Sequence, residues 1–135
     1  MRESQKEYLL ILAHLFLEHE HFEKARILLV ALRELFPADP GVARALSYCY
    51  YRLGFYEEAL GEAEASLEMD MPDDSARSMA VANISHFLRG KALWALGREE
   101  EAQDALSLYF SRQQPRLPAP RVELPNGAAR AVSPF

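Results

Sequence analysis

The sequence predicts an all-α fold of three helix-turn-helix hairpins, and three observations carry that expectation. The segments between prolines are helix-sized, rich in Ala, Leu, Glu and Arg and poor in β-branched residues. Their apolar positions recur at spacings of three and four, the period of a helix face, rather than at two, the period of a strand. A block of sequence also returns at a fixed interval. Glu20-His21-Phe22-Glu23-Lys24-Ala25 is echoed 34 residues later by Gly54-Phe55-Tyr56-Glu57-Glu58-Ala59, and the same offset pairs Phe16 with Tyr50 and Leu12 with Leu46. A third copy runs from Leu93 to Ala102, with Gly97 placed 43 residues after Gly54, nine more than the period.

Taken in order, the helices fall at about 5 to 18, 22 to 36, 40 to 53, 56 to 69, 74 to 96 and 99 to 113. The first helix of each hairpin sets a large residue (Phe16, Tyr50, Leu93) against its turn. The second opens with a small alanine (Ala25, Ala59, Ala102), where two backbones must come closest. Gly54 and Gly97 suit the left-handed position that ends a helix; the first hairpin has Glu20 there, so its turn must be strained or re-routed. Before the fifth helix, Pro72 is a breaker and Asp73 and Asp74 are good N-caps. The nine extra residues lengthen that helix by about two and a half turns into a ledge. In the sixth helix Glu99 stands where Phe22 and Tyr56 stand earlier, a weaker match of the kind terminal repeats show. The domain therefore spans 5–114, with repeats at about 6–39, 40–73 and 74–114. Residues 115–135 hold five prolines and a net charge of +2 against −7 for the rest. Having little to contribute to a core, they are expected to form an extended, disordered tail.

At 135 residues the chain has room for one domain with a real core. Its longest apolar run, Tyr8 to Ala13, is far too short to cross a bilayer. The mixed-charge N-terminus lacks the pattern of a secretory signal, so a cytoplasmic location is expected. A single cysteine, Cys49, permits no internal disulfide and no cysteine-based zinc site; it falls where an alanine would fit and should act as a small buried hydrophobe. The net charge of −5 and pI near 5.4 argue against nucleic acid and for a protein or peptide partner. No glycine-rich phosphate loop occurs, and none of His14, His19, His21 and His86 stands at a catalytic spacing from Cys49 or an acid. Neither enzyme activity nor a cofactor is expected. Glu18-His19-Glu20-His21 has the residue types of a weak metal site, but its place at a turn favours solvated polar residues.

A 34-residue hairpin period with turn, large residue and alanine so placed resembles the tetratricopeptide repeat. The resemblance implies a right-handed superhelix with a concave groove lined by the first helix of each hairpin. The inward positions are then Leu10, His14 and Leu17 in the first repeat, Arg44, Tyr48, Tyr51 and Arg52 in the second, and Phe87, Lys91 and Trp94 in the third. Such an aromatic and aliphatic groove suits a short amphipathic or extended segment, with Arg44, Arg52 and Lys91 fixing the register of an acidic or carbonyl-rich ligand. The alternative is that some of these residues pack on neighbouring hairpins, or that the tail or a second copy covers them. For Trp94, core and groove edge both remain open. The lysine, asparagine and arginine clamp by which tetratricopeptide domains grip heat-shock protein termini is missing. Leu10 and His14 occupy its first two positions, Tyr48 the third, and Phe87 with Lys91 the last.

A narrower likeness lies in Gln5-Lys6-Glu7-Tyr8-Leu9-Leu10-Ile11-Leu12, then Glu23-Lys24-Ala25-Arg26-Ile27-Leu28-Leu29-Val30-Ala31-Leu32 and Phe36-Pro37. These resemble the opening of the small tetratricopeptide chaperones of bacterial type III secretion, the YscY class; the related needle-subunit and translocator chaperones share the architecture. The resemblance implies a cytoplasmic bacterial chaperone. Its groove would keep a small exported component soluble and help deliver it to the membrane export gate; whether the empty chain pairs into a homodimer through an exposed helix is left open by the sequence. The nine-residue insertion and the proline-rich tail depart from the pattern. A generic protein-interaction scaffold is the alternative function.

Overall fold

The computed structural model describes residues 3–69 and 76–113, with side chains described for 3–69 and 79–110. Six helices succeed one another: α1 Glu3–Glu18, α2 Phe22–Leu35, α3 Pro40–Leu53, α4 Tyr56–Met69, α5 Ala76–Ala95 and α6 Glu99–Gln113. The all-α expectation holds, with ends shifted by one or two residues. Helix α1 starts at Glu3 rather than residue 5, α2 stops at Leu35 rather than 36, and α5 stops at Ala95 rather than 96. The expected start of α5 at 74, part of the insertion and the tail 115–135 lie outside the described residues. Within them α5 has 20 residues against 14 in α3, so it is the longer helix.

The three hairpin turns are one structure repeated. In each, the residue five beyond the large side chain donates to its carbonyl: His21 N to Phe16 O at 2.8 Å, Phe55 N to Tyr50 O at 2.9 Å, and Arg98 N to Leu93 O at 2.9 Å. A second bond closes each turn from inside, from Glu20 N to Leu17 O, Gly54 N to Tyr51 O and Gly97 N to Trp94 O, at 3.0–3.1 Å. This pairing needs a left-handed residue, and Gly54 and Gly97 supply it at φ 89° and 81°. Glu20 adopts φ 61° and keeps the same bonds, so the first turn is strained rather than re-routed. Glu20→Gly is therefore expected to stabilise the protein by about 0.5–1 kcal/mol, read as a higher urea midpoint with unchanged slope.

The alanines at the hairpin crossings are fully buried: Ala25, Ala59 and Ala102 expose nothing. Around them lie two core clusters. The first joins Ala13 and Leu17 of α1, Leu29 and Leu32 of α2, and Val42, Leu46 and Cys49 of α3. The second joins Ala59 and Leu60 of α4, Ala92 and Leu93 of α5, and Ala102 and Ala105 of α6. Tyr50 packs against both, which makes the hairpins continuous. At Gly90 a Cβ would meet Leu106 Cδ2 and Cγ at 2.6 and 2.7 Å, so α5 and α6 approach closely there.

Polar bonds tie successive hairpins together. Arg33 Nε donates to Glu62 Oε1 at 2.6 Å between α2 and α4, and Arg89 Nε to Glu64 Oε2 at 3.2 Å between α5 and α4. Ser66 of α4 and Ser85 of α5 share a buried bond at 2.8 Å, and within the second hairpin Ser47 Oγ donates to Ala59 O. Asp39 caps α3, its Oδ1 accepting from Gly41 N and Val42 N, while Pro40 fills the first helical position. Its other oxygen accepts from Lys6 Nζ at 2.6 Å, fastening α1 to the start of α3.

Burial pushes the Asp39 carboxyl up, but the Lys6 ammonium and the Val42 and Gly41 N–H groups together outweigh it and hold the carboxyl below its usual value. A depressed folded-state value means the carboxylate's contribution is complete above the unfolded pKa and disappears as pH falls through the folded one. Stability should therefore drop on acidification below about pH 4. Asp39→Asn, which keeps a capping oxygen, should flatten that dependence in urea titrations between neutral and acid pH.

Candidate functional site

The first helices α1, α3 and α5 stand side by side and leave an open cavity of about 630 Å³ between them, with mostly apolar walls. It is lined by His14, Leu17 and Glu18 from α1, Gly41, Arg44, Ala45 and Tyr48 from α3, and Ile84, Phe87 and Leu88 from α5. Five of the ten expected groove residues meet here: His14, Leu17, Arg44, Tyr48 and Phe87. The repeat register explains the convergence. Tyr48 lies one 34-residue period after His14, and Phe87 one lengthened 43-residue period after Arg44, so each occupies the same station on its own helix.

The other five sit elsewhere. Leu10 does not line the cavity; it is half-buried against the first core cluster, in line with Ala13 and Leu17 on the buried face of α1. Tyr51 is half-buried against the second cluster and packs on Tyr56 at 5.5 Å between ring centroids. Lys91 reaches over it, with Nζ 5.3 Å from the Tyr51 ring and 5.7 Å from that of Phe87, so a cation bridges the cavity wall and the next stretch of the concave face. Arg52 is exposed and does not line the cavity. Its guanidinium lies 4.7 Å over Phe22, and Nη1 donates to the Tyr48 hydroxyl at 2.8 Å, orienting that ring. Trp94 is 55 % exposed, on the stripe that Ile84, Phe87 and Lys91 form along α5 at helical spacing; it belongs to the surface rather than the core.

Five lining residues escaped sequence reasoning: Glu18, Gly41, Ala45, Ile84 and Leu88. Glu18 lies four positions beyond His14, while Gly41 and Ile84 precede Arg44 and Phe87 by three, so each shares a helix face with an expected residue. Leu88 stands one turn beyond Ile84 on the same face. Gly41 and Ala45 contribute by smallness, a hydrogen and a methyl group where larger side chains would fill the space. Ile84, 50 % exposed, completes the apolar lip.

Cys49 is buried, its Sγ donating to Phe22 O at 3.2 Å, and burial pushes its thiol up to about 11, so it stays protonated at neutral pH. Glu18, His19, Glu20 and His21 are exposed around the first turn. Among the described residues, no three His, Cys, Asp or Glu side chains are grouped to hold a metal ion. No described helix is long and apolar enough to cross a membrane.

No family profile and no curated protein matches the chain. Among solved structures, the type III secretion translocator chaperone SycD of Yersinia enterocolitica, in a crystal form described as an alternative dimer, is similar with a TM-score of 0.72. The alignment covers 85 % of this chain and 80 % of that chain at 22 % sequence identity. The chain thus has the fold of that chaperone, all-α helical hairpins of the tetratricopeptide type.

Proposed function

We propose that this protein is a cytoplasmic chaperone of a bacterial type III secretion system, holding an apolar segment of a small exported protein in its concave groove. The observation that carries the proposal is the open apolar cavity between α1, α3 and α5, on a fold shared with a secretion chaperone. A cavity of this size takes a few side chains of a peptide, and its aromatic walls suit large apolar anchors. Arg44 in the wall and Lys91 beside it favour a segment that carries carboxylates or exposed carbonyls next to those anchors. Delivery to the membrane export gate is the further step in this reading. Affinity purification from the native host, with mass spectrometry of the proteins that survive a stringent wash, tests it. A small secreted protein in near-equal amount supports the chaperone; a set of large cytoplasmic proteins would favour a generic scaffold.

When empty, the chain forms a homodimer in this reading, and one surface favours it. Tyr8, Ile11 and Leu15 make an exposed apolar stripe on α1. One period later Val42, Ala45 and Cys49 hold the same stations on α3 and are buried against the preceding hairpin. The first hairpin has no described predecessor, so a second copy would cover its stripe. Ile11→Glu should then convert a dimer to a monomer in sedimentation, with helicity retained.

A further inference from the structure

We infer that the proline-rich segment Pro115–Pro125 docks in cis on an aromatic ladder at the lip of the groove, so that the chain carries its own competitor for the site. The Phe87 and Tyr109 rings lie 5.2 Å apart, and Tyr109 and Phe110 another 5.2 Å. Phe110, 60 % exposed, is an aromatic side chain one turn from the last described residue, where it covers little. The ladder runs from α6 to Phe87, which also lines the cavity beside Ile84. Helix α6 ends at Gln113, one turn beyond Phe110, so the proline-rich segment is tethered at the groove's lip.

That segment has matching chemistry. Pro115-Arg116-Leu117-Pro118-Ala119-Pro120 is proline-dense and favours a polyproline II helix, whose turn of three residues rises about 9 Å. That is close to the span of three rings spaced 5.2 Å apart, and proline-rich helices bind aromatic-lined grooves with little loss of entropy. Pro115 and Pro118, one turn apart, share the face laid on the rings. Leu117, Val122 and Leu124 supply the apolar contacts, and Glu18 in the cavity wall offers an acid to Arg116 or Arg121. Attachment through α6 gives it an effective concentration of order millimolar, enough for weak contacts to keep it seated. A foreign segment must displace it, which ties release of the tail to loading of the groove. This consequence rests on the proposed chaperone function of the groove; the docking itself does not.

The test uses the full chain and no cargo. Ala128→Cys is spin-labelled, buried Cys49 remaining unreactive, and backbone amide signals are compared with the label oxidised and reduced. Docking is expected to broaden residues 84–94 and 109–110 selectively. Replacing Leu117, Val122 and Leu124 together with serine should abolish that selectivity. Broadening that only decays smoothly along α6 from Gln113, unchanged by the serine variant, overturns the inference. So does broadening that persists when the label and the isotope are on different molecules, which would mean that the tail seats on a second copy. Either failure leaves the foreign-segment reading to be judged by its own experiments.

Discussion

Replacing Ile84 and Phe87 together with aspartate should abolish retention of the bound segment while leaving the helical circular dichroism unchanged. Both residues line the cavity from α5 and are 50 % and 37 % exposed, so neither substitution opens the core. Each places a charge where an apolar anchor must be desolvated, and losing two central anchors costs roughly 4 kcal/mol or more of binding, about a thousandfold in affinity. Copurification with the native partner, or titration with its mapped segment, is the measurement. Undiminished binding by this variant would remove the groove as the site. Tyr51→Asp is a poorer choice despite its matching register. The Tyr51 ring is half-buried against the second cluster, and a carboxylate there would unsettle α4 and α5.

The second large effect concerns stability. Leu29→Ala should cost about 2–5 kcal/mol, because Leu29 is fully enclosed in the first cluster and its removal leaves a cavity that the surrounding helices fill only in part. Leu15→Ala, on the exposed stripe of α1, should cost far less in the isolated chain. Urea midpoints of the two variants, measured at one protein concentration, give the comparison. Equal losses would mean that the stripe of α1 is buried in solution.

Leu15 and Leu29 mark the limit of periodicity as a guide. Both recur at helical spacing among other apolar residues, and the pattern says only that each belongs to an apolar face. A helix at the end of a stack has two such faces and a neighbour for one of them. The same limit governs the groove. Five of the residues that the repeat register selects, His14, Leu17, Arg44, Tyr48 and Phe87, line one cavity. The register could not separate His14 from Leu10, one turn earlier, because which turn of a helix meets the cavity depends on the angle between hairpins. Nor did it give weight to Gly41 and Ala45, whose contribution is the space they leave.

What the sequence determined by itself is what local chemistry sets: six helices, three turns with a left-handed glycine at 54 and 97 and an ill-suited Glu20 at the first, and three alanines where backbones cross. These arise from hydrogen bonds and contacts within about ten residues, so they are legible one segment at a time. Glu20 is the clearest case: the side chain is wrong for the conformation, yet the paired carbonyls of Phe16 and Leu17 impose it. Tertiary structure alone decided which apolar residues are covered and which line a cavity. It set Tyr51 under Lys91, Trp94 in the open, and Phe87 in contact with Tyr109 across α5 and α6. Those outcomes depend on how far apart neighbouring helices are held by the bulk of their own side chains, a sum over several elements that no single segment encodes.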